Sequence, residues 1–209
     1  MKYSLKYCSF HYLNMWLQHD RPYHESINNG NCKNKLTGIK KAATYYKVAR
    51  NLPKEFDEDI GYYRYEPILK ILDKVNSADF YGNTVESIKK VHNRISQEYG
   101  NRSVLSFTTK LLWLKIRNPI IIYDSQARIA LDTPDSDLLA FYEAWREGFN
   151  TQREAIAEVC DELDKVAEYA YDQTIATPSY VKDISAQIWF QERVFDVYLW
   201  HKGLINRMD

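Results

Sequence analysis

Apolar residues recur along this chain at three- and four-residue steps rather than in alternation, so the pattern predicts helices. "GIKKAATYYKVARNL" puts Ile39, Ala42, Ala43, Tyr46 and Ala49 on one stripe, as expected of a helix with one buried face. "EPILKILDKV" repeats the period. "NTVESIKKVHNRISQEYG" adds Asn83 as an N-cap, Glu86 at the spacing from which a side chain reaches back to the cap, and a stop at Gly100. From Asn150 the acidic segment "NTQREAIAEVCDELDKVAEYAYD" carries Ile156, Val159, Leu163 and Val166 at helical spacing, with Thr151 and Glu154 near its expected start. A last helix is expected from about Ser179 to Lys202.

Polar punctuation separates these segments. "HESINNGNCKNKLTG" at 24–38 is rich in Asn and Gly and reads as a loop, "NLPKEFDEDIG" at 51–61 as another, and "TPDSD" and "ATPS" mark later breaks. Between Val104 and Lys115 the spacing of Leu105, Leu111, Leu112 and Leu114 predicts a largely buried helix that carries Lys110, and Pro119 forbids its continuation. "IIIY" at 120–123 is either a short strand or a buried connector. Asp124 then stands where a new helix, "SQARIALD", begins. With no internal repeat or low-complexity segment, the expectation is a single mostly α domain over residues 1–209, with possible lobes at about 1–120 and 121–209 that share a cleft.

Composition narrows the partners. The net charge of zero hides an asymmetry: residues 1–120 hold 20 Lys and Arg against 11 Asp and Glu, and residues 121–209 hold 8 against 17. A basic face able to meet a polyanion is one consequence, and a salt-bridged pair of lobes is the other. Cys8, Cys32 and Cys160 are odd in number and far apart, which suits reduced thiols, and the five histidines are scattered, so no metal is expected. No run of about eighteen apolar residues exists, and "MKYSLKYCSFHYLNMWLQHD" is broken by Lys6, His11 and Asn14, which implies a cytoplasmic protein with no membrane partner. Seventeen tyrosines and five tryptophans can pack a core or line a pocket where bases stack.

Lys110 and Asp124 each have an ordinary reading, as a solvated lysine and as an N-cap. Together "SFTTK" and "PIIIYDSQARIAL" resemble the helix-hairpin-helix DNA glycosylases, in which a helix bearing a lysine is followed by an aspartate at the next helix start. The likeness is greatest to the bacterial proteins described as like the 8-oxoguanine glycosylases, and it is strongest over about residues 103–131. "YYKVARNL", "RYEPILKIL" and the terminal "RVFDVYLWHKG", with Arg193, Asp196, Trp200 and Gly203, look similar to the same group. The hairpin glycines usual in the superfamily are absent, Ser106, Phe107, Thr108 and Thr109 preceding Lys110 instead.

The resemblance implies a helix-hairpin-helix fold and a DNA N-glycosylase that flips a modified base out of the stack and excises it, leaving an abasic site. Asp124 would stabilise the oxocarbenium character that develops at the sugar, and Lys110 would act as the nucleophile of a bifunctional lyase or as an electrostatic partner. Trp113, Tyr123, Trp189, Phe190, Asp196 and Trp200 are the candidate pocket or wedge residues. Lys33, Lys35, Lys40, Lys41, Lys47, Ser106, Thr108, Thr109, Ser125 and Arg128 are the candidate DNA contacts. No cofactor is implied. The substrate is either a hypermodified phage base such as glucosylated hydroxymethylcytosine, in antiviral defence, or oxidised guanine, in repair. The alternative is a non-catalytic helical DNA-binding or protein-interaction module.

Overall fold

Helices make up 73 % of the computed structural model, which describes residues 3–52, 56–58 and 62–206. The fold is mostly α, and the chain divides into two compact units, one joining the residues up to His19 with those from Tyr123 onward, the other running from Asp20 to Ile122.

The first unit opens with α1 (Leu5–Met15), capped by Ser4, whose Oγ accepts the Tyr7 N–H at 3.1 Å. Its later helices are α7 (Ser125–Ala130), α8 (Leu138–Asp161), α9 (Pro178–Ser185) and α10 (Ile188–Asn206), with a 3₁₀ segment at Leu163–Tyr169. α8 starts at Leu138 and not near Asn150, because Asp137 caps it by accepting the Ala140 N–H at 3.0 Å, and Leu138, Phe141, Trp145 and Phe149 extend the buried stripe towards the N-terminus. Thr151 is therefore mid-helix, its hydroxyl donating to the Glu147 carbonyl at 3.0 Å. Cys8, Tyr12 and Leu13 of α1 pack with Phe190, Val194 and Phe195 of α10 in a core where Trp145 stacks on Phe149 at 5.3 Å and meets the edge of Phe195 at 5.2 Å.

The helix expected over 179–202 is two. α9 ends and α10 begins with no Pro or Gly between them; instead Gln187 Nε2 takes the Asp183 carbonyl at 3.2 Å and Gln191 Nε2 takes that of Ser185 at 3.3 Å, so side-chain amides satisfy the terminal carbonyls of α9.

The second unit holds α2 (Arg21–Asn29), α3 (Cys32–Tyr45), α4 (Glu66–Leu72), α5 (Thr84–Glu98) and α6 (Leu105–Ile116), with a two-residue ladder of β1 (Phe56–Asp57) on β2 (Tyr62–Tyr63) in which Phe56 pairs with Tyr63. The segment at 24–38, expected as a loop, is helical except at Gly30 and Asn31. Asn31 caps α3 by accepting the Asn34 N–H at 2.9 Å, and Ile27 and Ile39 are buried as α2 packs on α3. Of the loop expected at 51–61, residues 53–55 and 59–61 lie outside the described residues.

α5 begins after Asn83, but the side chain of Asn83 makes no cap bond and Glu86 pairs with Lys89 at 2.8 Å, so the reciprocal capping expected there is not formed. α5 ends at Glu98, two residues before the expected stop at Gly100, which stands at φ 71° and is followed by Asn101 at φ 58°. Residues 99–104 turn the chain into α6, with the Ser96 hydroxyl donating to the Arg102 carbonyl at 2.8 Å. Ile120, Ile121 and Ile122 form a buried connector and not a strand.

Among the described residues no helix is long and apolar enough to cross a membrane.

Candidate functional site

α6 is apolar on nearly every face, with Phe107 to Leu114 all buried, so Lys110 is carried inward and is only 4 % exposed. Burying an ammonium costs several kcal/mol, of order 2 to 7 even for a neutral polar group, unless other atoms replace its water. Here its Nζ donates to Ser106 Oγ at 2.7 Å, one turn earlier, and lies 5.7 Å from the centre of the Tyr46 ring at the end of α3. The Tyr46 hydroxyl in turn donates to Oδ1 of Asp20, a carboxylate with no exposed surface. α6 is tied to α2 by His24 Nδ1 at 2.7 Å from the Leu114 carbonyl, which Asn28 Nδ2 also reaches at 3.1 Å.

Asp124 stands at the head of α7 with extended backbone, its Oδ1 accepting the Gln126 N–H at 2.9 Å. α10 approaches this same turn. A Cβ on Gly203 would lie 1.9 Å from the Gln126 carbonyl oxygen and 2.6 Å from its carbon, so only glycine allows the contact. α10 thereby supports the backbone that presents Asp124.

Further along α10, Asp196 accepts from Trp145 Nε1 at 2.7 Å and from Arg193 Nη1 at 2.7 Å, and the Arg193 guanidinium lies 5.2 Å from the centre of the Tyr12 ring. Burial raises the Asp196 carboxyl above its ordinary range, Arg193 opposes that, and the charge of Asp124 adds to it. One turn earlier Glu192, 3 % exposed, is pushed up to about 7 by burial, against the pull of Arg146 at 2.8 Å.

The residues expected to form a pocket or wedge divide sharply. Trp113 and Phe190, at 1 % and 0 % exposed, are packed as core side chains. Trp189 and Asp196 are buried, and Tyr123 is pinned by donating to Asp135 Oδ1 at 3.2 Å and accepting the Ser136 N–H at 2.9 Å. Only Trp200 of the six is at the surface, 41 % exposed.

Among the expected DNA contacts, Thr108 and Thr109 have no exposed surface and cannot reach a phosphate, because residues 106–109 are the first turns of α6 and not a loop. Ser106 is committed to Lys110, Lys35 pairs with Asp73 at 2.7 Å, and Arg128 folds onto its own turn, donating to the Thr133 carbonyl at 2.8 Å. Lys33, Lys40, Lys41, Lys47 and Ser125 are exposed.

Three buried groupings were not found from sequence: Tyr46 with Asp20, Glu192 with Arg146, and a histidine pair. His11 Nδ1 lies 3.3 Å from His201 Nε2, Tyr3 stacks on His201 at 4.0 Å, and Tyr7 meets both rings edge-on at 5.6 Å. No group of three His, Cys, Asp or Glu among the described residues could hold a metal ion.

Burial lowers His11, and burial with the neighbouring His11 pushes His201 down to about 4. Between pH 6.5 and about 4 the unfolded chain binds protons that the folded chain refuses, so stability falls as the pH drops through this window. In thermal melts followed by circular dichroism, His201→Gln should therefore lose less Tm than wild type as the pH is lowered through this window. Glu192 acts with the opposite sign: from its ordinary 4.5 up to about 7 the folded state holds a proton that the unfolded state has lost, so stability falls as pH rises. Glu192→Gln should remove that slope from the same melts.

Comparison with protein families, with curated proteins and with solved structures gave no match for this chain.

Proposed function

We propose that this chain is a cytoplasmic DNA N-glycosylase with a helix-hairpin-helix fold, which flips a modified nucleotide out of the duplex and cleaves its base–sugar bond. The observation that carries this reading is the burial of Lys110: a lysine that served only solubility would not be drawn into an apolar helix and held by Ser106 and Tyr46. The turn at 99–104 between α5 and α6, and the position of Asp124 at the head of α7, also support it.

In this reading Asp124, ionised, stabilises the positive charge that develops at the sugar. The C1′–N bond breaks, its electron pair leaves with the base, and either water or the Lys110 amine bonds to the vacated carbon. Water gives up a proton, which passes to the departing base, and leaves a plain abasic site; the neutral amine gives up its proton in the same way, the C1′–O4′ bond then opens with a proton taken up on O4′, and an imine forms from which the strand can be cut. No cofactor is called for. Phosphate contacts are assigned to the exposed Lys33, Lys40, Lys41 and Lys47, so binding should weaken steeply with added salt.

Two substrates are proposed, glucosylated hydroxymethylcytosine of phage DNA and oxidised guanine. Mass spectrometry of small molecules freed when purified protein meets each DNA tests both. Release from phage DNA alone assigns antiviral defence, and release of oxidised guanine assigns repair. No release from either favours the second reading, a non-catalytic helical DNA-binding or protein-interaction module, which the ordinary N-cap bond from Gln126 to Asp124 supports.

A further inference from the structure

We propose that Tyr46 and Asp20 are positioning residues for the Lys110 amine, a role that rests on the glycosylase reading of Lys110. A lysine side chain has four rotatable carbons, and a nucleophilic amine acts only when it is aimed. Ser106 restrains Nζ from within α6, at 2.7 Å. Tyr46 restrains it from α3, presenting its ring face 5.7 Å from the ammonium.

The ring is itself fixed. Its hydroxyl donates to the fully buried Asp20, whose charge also holds the Tyr23 phenol above its ordinary range, after burial, the larger cause. Backbone geometry completes the arrangement. Tyr46 caps the C-terminal end of α3, its N–H bonded to the Ala42 carbonyl at 2.9 Å, and Lys47 turns away in the left-handed region at φ 55°. An L side chain with a Cβ adopts that region at a cost, so the end of α3 is held in a conformation that is uncommon for lysine. The result is a three-part support, carboxylate to phenol to ammonium, with each member on a different segment of the second unit.

Two measurements test this. In the first, DNA-free protein is treated with formaldehyde and cyanoborohydride and methylation at each lysine is followed by peptide mass spectrometry, with exposed Lys33 and Lys41 as internal standards. Tyr46→Leu should speed methylation of Lys110 at least five-fold and leave the standards unchanged. Tyr46→Phe, which keeps the ring and loses its tie, should give an intermediate rate, as should Asp20→Asn, and these two carry the test where Tyr46→Leu does not fold.

In the second, duplex DNA with an abasic site is mixed with protein and borohydride. The Lys110 amine adds to the sugar aldehyde, water leaves, and hydride from the borohydride converts the imine to a stable secondary amine. Wild type should give the covalent adduct, Lys110→Gln none, Tyr46→Leu at least ten-fold less, and Tyr46→Phe and Asp20→Asn amounts between those of Tyr46→Leu and wild type. Unchanged methylation of Lys110 in every variant overturns the positioning role. Accelerated methylation with no wild-type adduct upholds the positioning role and removes the lyase branch of the glycosylase reading.

Discussion

Asp124→Asn should lower the rate of base release at least a hundred-fold while leaving the melting temperature within a few degrees of wild type. Two separable properties of the carboxylate make this so. As a cap, Asp124 accepts one N–H from Gln126, and an asparagine oxygen accepts the same bond with nearly equal effect. As a charge, in the proposed glycosylase reaction it would stabilise a developing cation, and removing one such preorganised group costs about 3 kcal/mol in the transition state, or a factor of about 10² to 10³. Single-turnover release of base, read by mass spectrometry, measures the second property, and a thermal melt measures the first. Full activity in Asp124→Asn would leave Asp124 only its cap and overturn its assignment as the essential carboxylate.

Gly203→Ala is expected to be the most damaging single-methyl change in the first unit. The added Cβ would lie 1.9 Å from the Gln126 oxygen, which is backbone and cannot rotate aside, so α10 and α7 must separate. Overpacking of this kind costs about 3 kcal/mol at the upper end of its usual range, which lowers Tm by roughly 6 to 12 °C in a chain of this length. Gly148→Ala is the control, because its Cβ would meet side chains alone, the Phe195 ring edge at 3.0 Å and Leu131 Cδ2 at 3.7 Å, and side chains can shift. If Gly203→Ala melts like wild type, the close approach of α10 to the turn after Asp124 is not what holds that turn.

The helical class and the positions of α4, α5 and α6 were legible because their stripes are long, apolar and regularly spaced. Asp124 was legible as a helix start for the same reason, a polar cap between an apolar run and a new helix. The α2–α3 hairpin was not, since its contact surface uses Gly30, Ser26 and Gly38, residues that sequence reasoning takes for a loop and that pack closely because they are small. The start of α8 was missed because Thr151 and Glu154 imitate a cap in mid-helix, while the working cap, Asp137, sits in a segment that reads as a break. Burial was the harder property. Thr108, Thr109, Trp113 and Phe190 have side chains suited to DNA or to a base, yet each is on the inward face of its helix. The Tyr46–Asp20 tie joins residues 26 apart on different helices, a distance over which no local pattern reports.

The two-residue join between α2 and α3 also governs how this part of the chain can drift. A Cβ at Gly30 would lie 2.5 Å from the Ser26 oxygen and 2.7 Å from Asn34 Cβ, and one at Gly38 would lie 2.8 Å from Ser26 Cβ. Ser26 is thus bracketed by two glycines, and any of the three can grow only if the hairpin opens. The neighbouring Lys33 and Lys41 point outward and meet no such restriction. In a saturation library selected for folding, lysine positions here should accept most replacements, and Gly30, Gly38 and Ser26 almost none. Letters that look interchangeable in this stretch are the ones substitution can least afford to touch.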